Sequence, residues 1–146
     1  MSLAEGQMSR QKKDEPTLHG LKLRNFWRTP WTVFNAIEND HGDFHLDAAS
    51  LPSDTRCCTW LGFDHPDPGC RDALNGEDWF ALYLRACRVT VPYDPNPTRM
   101  TPMGIGIWLN PPFGADAGGL DRWVQRAWQQ SRVPGVARVQ IGRAHV

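Results

Sequence analysis

The chain has 146 residues, 40% of them hydrophobic and 22% charged, with a mean hydropathy of −0.51. That size and balance suit one globular domain with a modest core. No apolar stretch approaches the roughly 20 residues of a membrane-spanning helix, and no apolar signal core stands near the start, so a cytoplasmic protein is expected. The formal net charge is zero, but residues 1–31 sum to +3, residues 32–82 to −8 and residues 83–146 to +5. Contact with nucleic acid requires phosphate neutralisation, so the basic ends are the better candidates for it.

Residues 1–20 are polar and without apolar period, and read as a flexible lead-in; residues 21–139 read as the folded domain. Thr29 suits an N-cap and Pro30 a first helical position. Trp31, Val33, Phe34 and Ile37 then mark the apolar face of a helix running to about Asn39. Asp40 to Asp43 form a turn, and Phe44-His45-Leu46 a short strand. The strand ends at Asp47-Ala48-Ala49-Ser50. A carboxylate followed by small side chains at such an end suits a nucleoside cofactor, because the acid can accept from hydroxyl or ammonium groups. A plain cap is the alternative part for Asp47.

Residues 51–78 are rich in turn formers, with a second strand expected within Cys57–Leu61. The cysteines are Cys57, Cys58, Cys70 and Cys87. Buried free thiols are expected, since a cytoplasmic chain keeps them reduced. Cys57, Cys58, His65 and Cys70 form an alternative zinc set, but they lack a C-x-x-C pair, and no metal is expected. Asp78 to Leu84 are compatible with helix or strand. Residues 92–104 hold four prolines and read as an inserted loop that contacts substrate.

Ile105–Leu109 is a wholly apolar run, hence a buried strand, and it leads straight into Asn110-Pro111-Pro112-Phe113. Leu120, Trp123, Val124, Ala127 and Trp128 follow a helical period. Pro134-Gly135 ends that helix, and Val136–Val139 begins another strand. Strand, helix, strand in this order is a βαβ unit, which implies a parallel sheet. Ligands of such sheets bind beyond the carboxyl ends of the strands, where both Asp47 and Asn110 fall.

Three elements stand in one order: Trp27-x-Thr29-Pro30-Trp31-x-x-Phe34, Phe44-His45-Leu46-Asp47-Ala48-Ala49, and Trp108-Leu109-Asn110-Pro111-Pro112-Phe113-Gly114. Together they resemble the phage-type DNA N-6-adenine methyltransferase family over residues 26–139, with a looser match over 51–104. The resemblance implies an α/β, Rossmann-like methyltransferase sheet. It implies S-adenosylmethionine as methyl donor, double-stranded DNA as partner, and a phage or prophage gene acting in a bacterial cytoplasm. It assigns Thr29, Pro30, Asp47, Ala48 and Ala49 to the cofactor side. Asn110, Pro111, Pro112 and Phe113 correspond to the catalytic loop, with Phe113, Gly114 and Asp72 on the substrate side. Phe113 replaces the more frequent Tyr, and there is no Gly-x-Gly.

The chemistry of that loop follows from its residue types. Two prolines fix φ in succession and donate no N–H, so the loop is stiff and its carbonyls are free to accept. The Asn110 side-chain oxygen and the Pro111 carbonyl can each accept a hydrogen bond from one N–H of an exocyclic NH₂. Phe113 offers a face on which a flipped base can stack. A tight turn after a strand is the plain alternative for the same tetrapeptide. Two further alternatives are cytosine N4 as acceptor, disfavoured by Asn rather than Ser before Pro-Pro, and a non-catalytic DNA- or nucleotide-binding remnant.

The last six residues, Ile141 to Val146, match one reading frame of a common sequencing-library adapter. Residues 140–146 are therefore expected to be a non-native tail, with the sheet incomplete at its C-terminal side.

Overall fold

The computed structural model of the protein describes residues 17–18, 21–22, 29–50, 55–90, 104–111 and 119–142. Strands β1 (Thr17–Leu18) and β2 (Leu21–Lys22) pair antiparallel, Thr17 against Lys22 and Leu18 against Leu21. This ladder begins inside the stretch expected as a lead-in. The main body then runs α1 (Trp31–His41), β3 (Leu46–Asp47), β4 (Thr59–Trp60), a 3₁₀ turn (Pro68–Cys70), α2 (Trp79–Thr90), β5 (Ile105–Leu109), α3 (Leu120–Ser131) and β6 (Val136–Ile141).

Strands β3 to β6 form one sheet in the order β4-β3-β5-β6, and every pairing is parallel, which is the α/β class expected. Alternation along β5 explains how it is covered. Ile105, Ile107 and Leu109 point into a core with Leu46, Leu61, Trp79, Leu82, Trp123 and Ala127. Trp108 points to the other face, into a cluster with Phe34, Phe44 and Cys57. Successive strand residues face opposite sides, so a strand buried on both must be apolar throughout. Helices α2 and α3 cover one face and α1 the other. Phe34 meets Trp108 edge-on at 5.0 Å, and Phe44 meets it at 5.5 Å, geometries that aromatic quadrupoles favour.

The expected strands are present with shifted bounds. The first is Leu46–Asp47, preceded by a His45 N–H bond to the Gly106 carbonyl of 2.8 Å. The second shortens to Thr59–Trp60. The last extends to Ile141, with Gln140 opposite Trp108 and Ile141 opposite Leu109. The segment that local pattern leaves undecided is helical and longer: Trp79, Leu82, Tyr83, Ala86 and Cys87 recur at helical spacing and are all buried. Of the expected inserted loop, residues 92–103 lie outside the described residues.

One expected face is corrected. Along α3 the buried residues are Trp123, Ala127 and Gln130, whereas Leu120, Val124 and Trp128 are 41%, 44% and 61% exposed. The reason is a polar anchor. Gln130 accepts the Trp79 N–H at 2.7 Å and donates to Asp78 Oδ1 at 3.1 Å, so its side chain closes the N-terminus of α2. The first N–H groups of a helix have no partner within it, and a buried one must find a partner elsewhere. Arg126 draws the same flank inward by donating to the Ala73 and Glu77 carbonyls. Gln130→Ala is expected to destabilise the protein by about 1–3 kcal/mol, because it strands a buried main-chain donor. Urea unfolding would show this, whereas Trp128→Ala should leave the midpoint nearly unchanged.

Candidate active site

Strand β3 lies inside the sheet, between β4 and β5. The chain leaves it for β4 on one side and later returns to β5 on the other. This reversal is a topological switch point, and in open parallel sheets the ligand crevice lies beyond the carboxyl ends of the strands at such a point. Asp47 stands opposite Trp108, so Asn110 lies two residues further along β5's exit. The Ala48 N–H bonds the Trp108 carbonyl at 2.9 Å and carries the pairing past the strand end. Asn110 is 4% exposed, and Pro111 is buried beside it. The Asp47 turn and the start of the tetrapeptide are therefore neighbours at the ends of β3 and β5. Pro112, Phe113 and Gly114 lie outside the described residues, as does Trp27.

The turn after β3 is built around Asp47. Its carboxylate is 2% exposed and accepts from the Arg56 N–H at 2.9 Å and the Ala49 N–H at 3.4 Å. The acid thus faces main-chain donors and holds the turn that presents Ala48 and Ala49. The turn after β4 lies against it: Leu61 N–H bonds the Asp47 carbonyl, and Ser50 N–H bonds the Leu61 carbonyl. Gly62 allows this approach, since a Cβ there would collide with the Ser50 carbonyl oxygen.

The expected N-cap is corrected. The cap position of α1 is Pro30, whose carbonyl accepts from Val33 and Phe34 at 3.1 and 3.0 Å, and no side chain caps that end. Thr29 is instead buried, and its carbonyl receives both Nε and Nη2 of Arg56, at 3.0 and 2.7 Å. The same guanidinium lies 4.3 Å from the Trp31 ring centroid. Arg56 belongs to no motif. Its one sequence signal is that it and Arg71 are the two basic residues of the acidic stretch 32–82.

Asp72 is exposed and holds its own turn, accepting from Leu74 N–H at 3.0 Å and Asn75 N–H at 3.2 Å. The alternative zinc set is not assembled. Cys57 packs with Phe34, Phe44 and Trp108, Cys70 sits in the opposite core, and Cys58 is exposed. Among the described residues no three His, Cys, Asp or Glu side chains group as a metal site. Burial, and after it the Asp47 carboxylate, push the Cys57 thiol well above its ordinary range, so it stays protonated. Among the described residues no helix is long and apolar enough to cross a membrane.

A family model described as DNA N-6-adenine-methyltransferase (Dam) matches residues 18–93. The chain belongs to this family. The matched stretch contains Thr29-Pro30, the Asp47 turn, Arg56 and Asp72, and stops before Asn110. No curated protein and no solved structure matches the chain. Family membership makes this a DNA adenine methyltransferase domain and implies S-adenosylmethionine and DNA as its reactants. The chain's residues suit that cofactor: small side chains at Ala48, Ala49 and Ser50 end β3, and a stiff Asn-Pro step ends the neighbouring strand.

Beyond β4, His65 is fully buried against Trp60, with ring centroids 4.7 Å apart. Its Nδ1 accepts the Asp67 N–H at 3.0 Å, which requires that nitrogen to be unprotonated. Burial pulls its pKa below the ordinary 6.5, Arg71 adds to this, and Asp67 opposes it. Because the folded pKa is lowered, the unfolded chain binds the proton more readily. The stability contribution is therefore present above 6.5 and is lost as pH falls through the lower folded value. Thermal midpoints between pH 7.5 and 5 should fall for the native chain and fall less steeply for His65→Gln.

Proposed function

We propose that this chain is a site-specific DNA adenine-N6 methyltransferase whose reaction centre is the crevice between the ends of β3 and β5. The observation that carries the reading is the position of Asn110-Pro111 directly after β5, beside the Asp47 turn, in a member of this family. Thr29, Pro30, Ala48 and Ala49 would hold the cofactor, and Asp47 shapes the turn that presents the last two. S-adenosylmethionine, when bound, would supply an electrophilic methyl group and leave as S-adenosylhomocysteine. The Asn110 side-chain oxygen and the Pro111 carbonyl would each accept a hydrogen bond from one adenine N6–H and so orient the amino group. Phe113 stacks on the flipped base, with Pro112 stiffening the loop and Gly114 and Asp72 on the DNA side. No covalent intermediate forms on the protein, and no base is needed before attack; the N6 proton leaves afterwards to solvent. Orientation and fixed acceptors supply the acceleration.

The catalytic domain on this reading is residues 21–139, encoded by a phage or prophage, with residues 140–146 a non-native tail. Gln140 and Ile141 pair with Trp108 and Leu109 through the main chain, which demands no particular side chain, and Ile141 also packs against the core.

Asn110→Ala is expected to lower methyl transfer by at least about 100-fold, the usual cost of losing one positioned transition-state partner. Its affinity for S-adenosylmethionine by calorimetry should stay within about twofold, since the lost contacts are to the base. Unchanged turnover would remove Asn110 from the mechanism.

A further inference from the structure

The Arg56 side chain touches both Thr29, just before α1, and Trp31 at the start of that helix, while its own main chain serves the Asp47 turn. We propose that Arg56 is a positioning residue of the cofactor side, clamping the Thr29-Pro30 arm to the end of β3. The proposal rests on the reading of Thr29, Pro30 and Asp47–Ala49 as the cofactor side of the site.

Three contacts define the clamp. The Arg56 main-chain N–H bonds Asp47 Oδ2 at 2.9 Å. Its Nε and Nη2 converge on the Thr29 carbonyl at 3.0 and 2.7 Å. Its guanidinium plane covers the Trp31 ring at 4.3 Å from the centroid. Thr29 and Asp47 are 1% and 2% exposed, so the bonds form where water competes little. A planar guanidinium can direct two donors at one oxygen while stacking on an indole; an ammonium cannot do both.

The clamp acts on binding more than on chemistry. Without it the arm must be ordered when the cofactor arrives, which weakens affinity. Once the cofactor is bound, Asn110 and Pro111 stand where they did. Substitution of the side chain also leaves the Arg56 main-chain N–H on Asp47, so the turn itself persists.

The test uses the full chain, unmethylated DNA and S-adenosylmethionine, with Arg56→Ala, Arg56→Lys and Trp31→Ala beside the native protein. Calorimetric Kd, KM, kcat and thermal midpoint are measured for each. Arg56→Ala should raise KM and Kd for S-adenosylmethionine about tenfold or more, a loss matching a charge-assisted pair of bonds. Its kcat at saturation should stay within about threefold, and Arg56→Lys should fall between. Trp31→Ala, which removes the stack and an edge-on contact with Phe34 but leaves both bonds to Thr29, should show a smaller rise in KM. An Arg56→Ala chain with native KM and Kd overturns the proposal. So does a loss of kcat that follows the folded fraction while KM is unchanged. If Arg56→Ala does not fold, Arg56→Lys decides: raised KM supports the clamp, native KM overturns it. Native protein that neither binds the cofactor nor transfers methyl overturns the functional reading and the clamp with it, whereas an active native protein with unaffected variants overturns the clamp alone.

Discussion

At the end of β3 the chain buries a carboxylate and satisfies it with its own main chain. Asp47 accepts from Ala49 and Arg56 while its carbonyl receives Leu61, so one residue gathers the exits of β3 and β4 and the loop between them. A buried charge without partners costs several kcal/mol. The turn therefore cannot relax away from Asp47 without a large penalty, and whatever is attached to the turn is fixed too. Arg56 is attached through its main chain and reaches across to Thr29, so the arm before α1 inherits the same constraint.

The second constraint is the burial of β5 on both faces. Ile105, Ile107 and Leu109 are locked into the core under α2 and α3, and Trp108 is locked among Phe34 and Phe44 on the other side. Side chains in such a strand have little room to shift. Asn110 and Pro111 thus leave a rigid support, as a site that works by orienting its substrate requires. The two constraints meet at the switch point, since Asp47 and Trp108 are directly paired. Fold and proposed chemistry share the same few residues at that place.

Much of this was legible in the residues alone. Ile105–Leu109 announces a doubly buried strand by having no polar member, and Pro-Pro announces its end. The strand–helix–strand order then dictates parallel pairing. The family match ends at residue 93, so the Asn110 loop supports the same assignment from outside the matched stretch. What stayed hidden depends on partners far along the chain. The Arg56 hold on Thr29 spans 27 residues and the Gln130 cap on Trp79 spans 51. Local spacing carries no trace of either. That is why Thr29 reads as a helix cap, and why α3 leaves Leu120, Val124 and Trp128 to solvent while burying a glutamine beside Trp123 and Ala127. The segment at Asp78–Leu84 was ambiguous for a different reason, since a short apolar stretch satisfies both periods and only its length, known from the structure, separates them.

The most direct measurement is the identity of the methylated base. The chain would be incubated with methyl-labelled S-adenosylmethionine and unmethylated double-stranded DNA, and the DNA digested to nucleosides for mass analysis. Label in N6-methyldeoxyadenosine alone is the expected result. Label in N4-methyldeoxycytidine, or a folded protein that transfers no label, would contradict the assignment of adenine N6 to the Asn110 crevice.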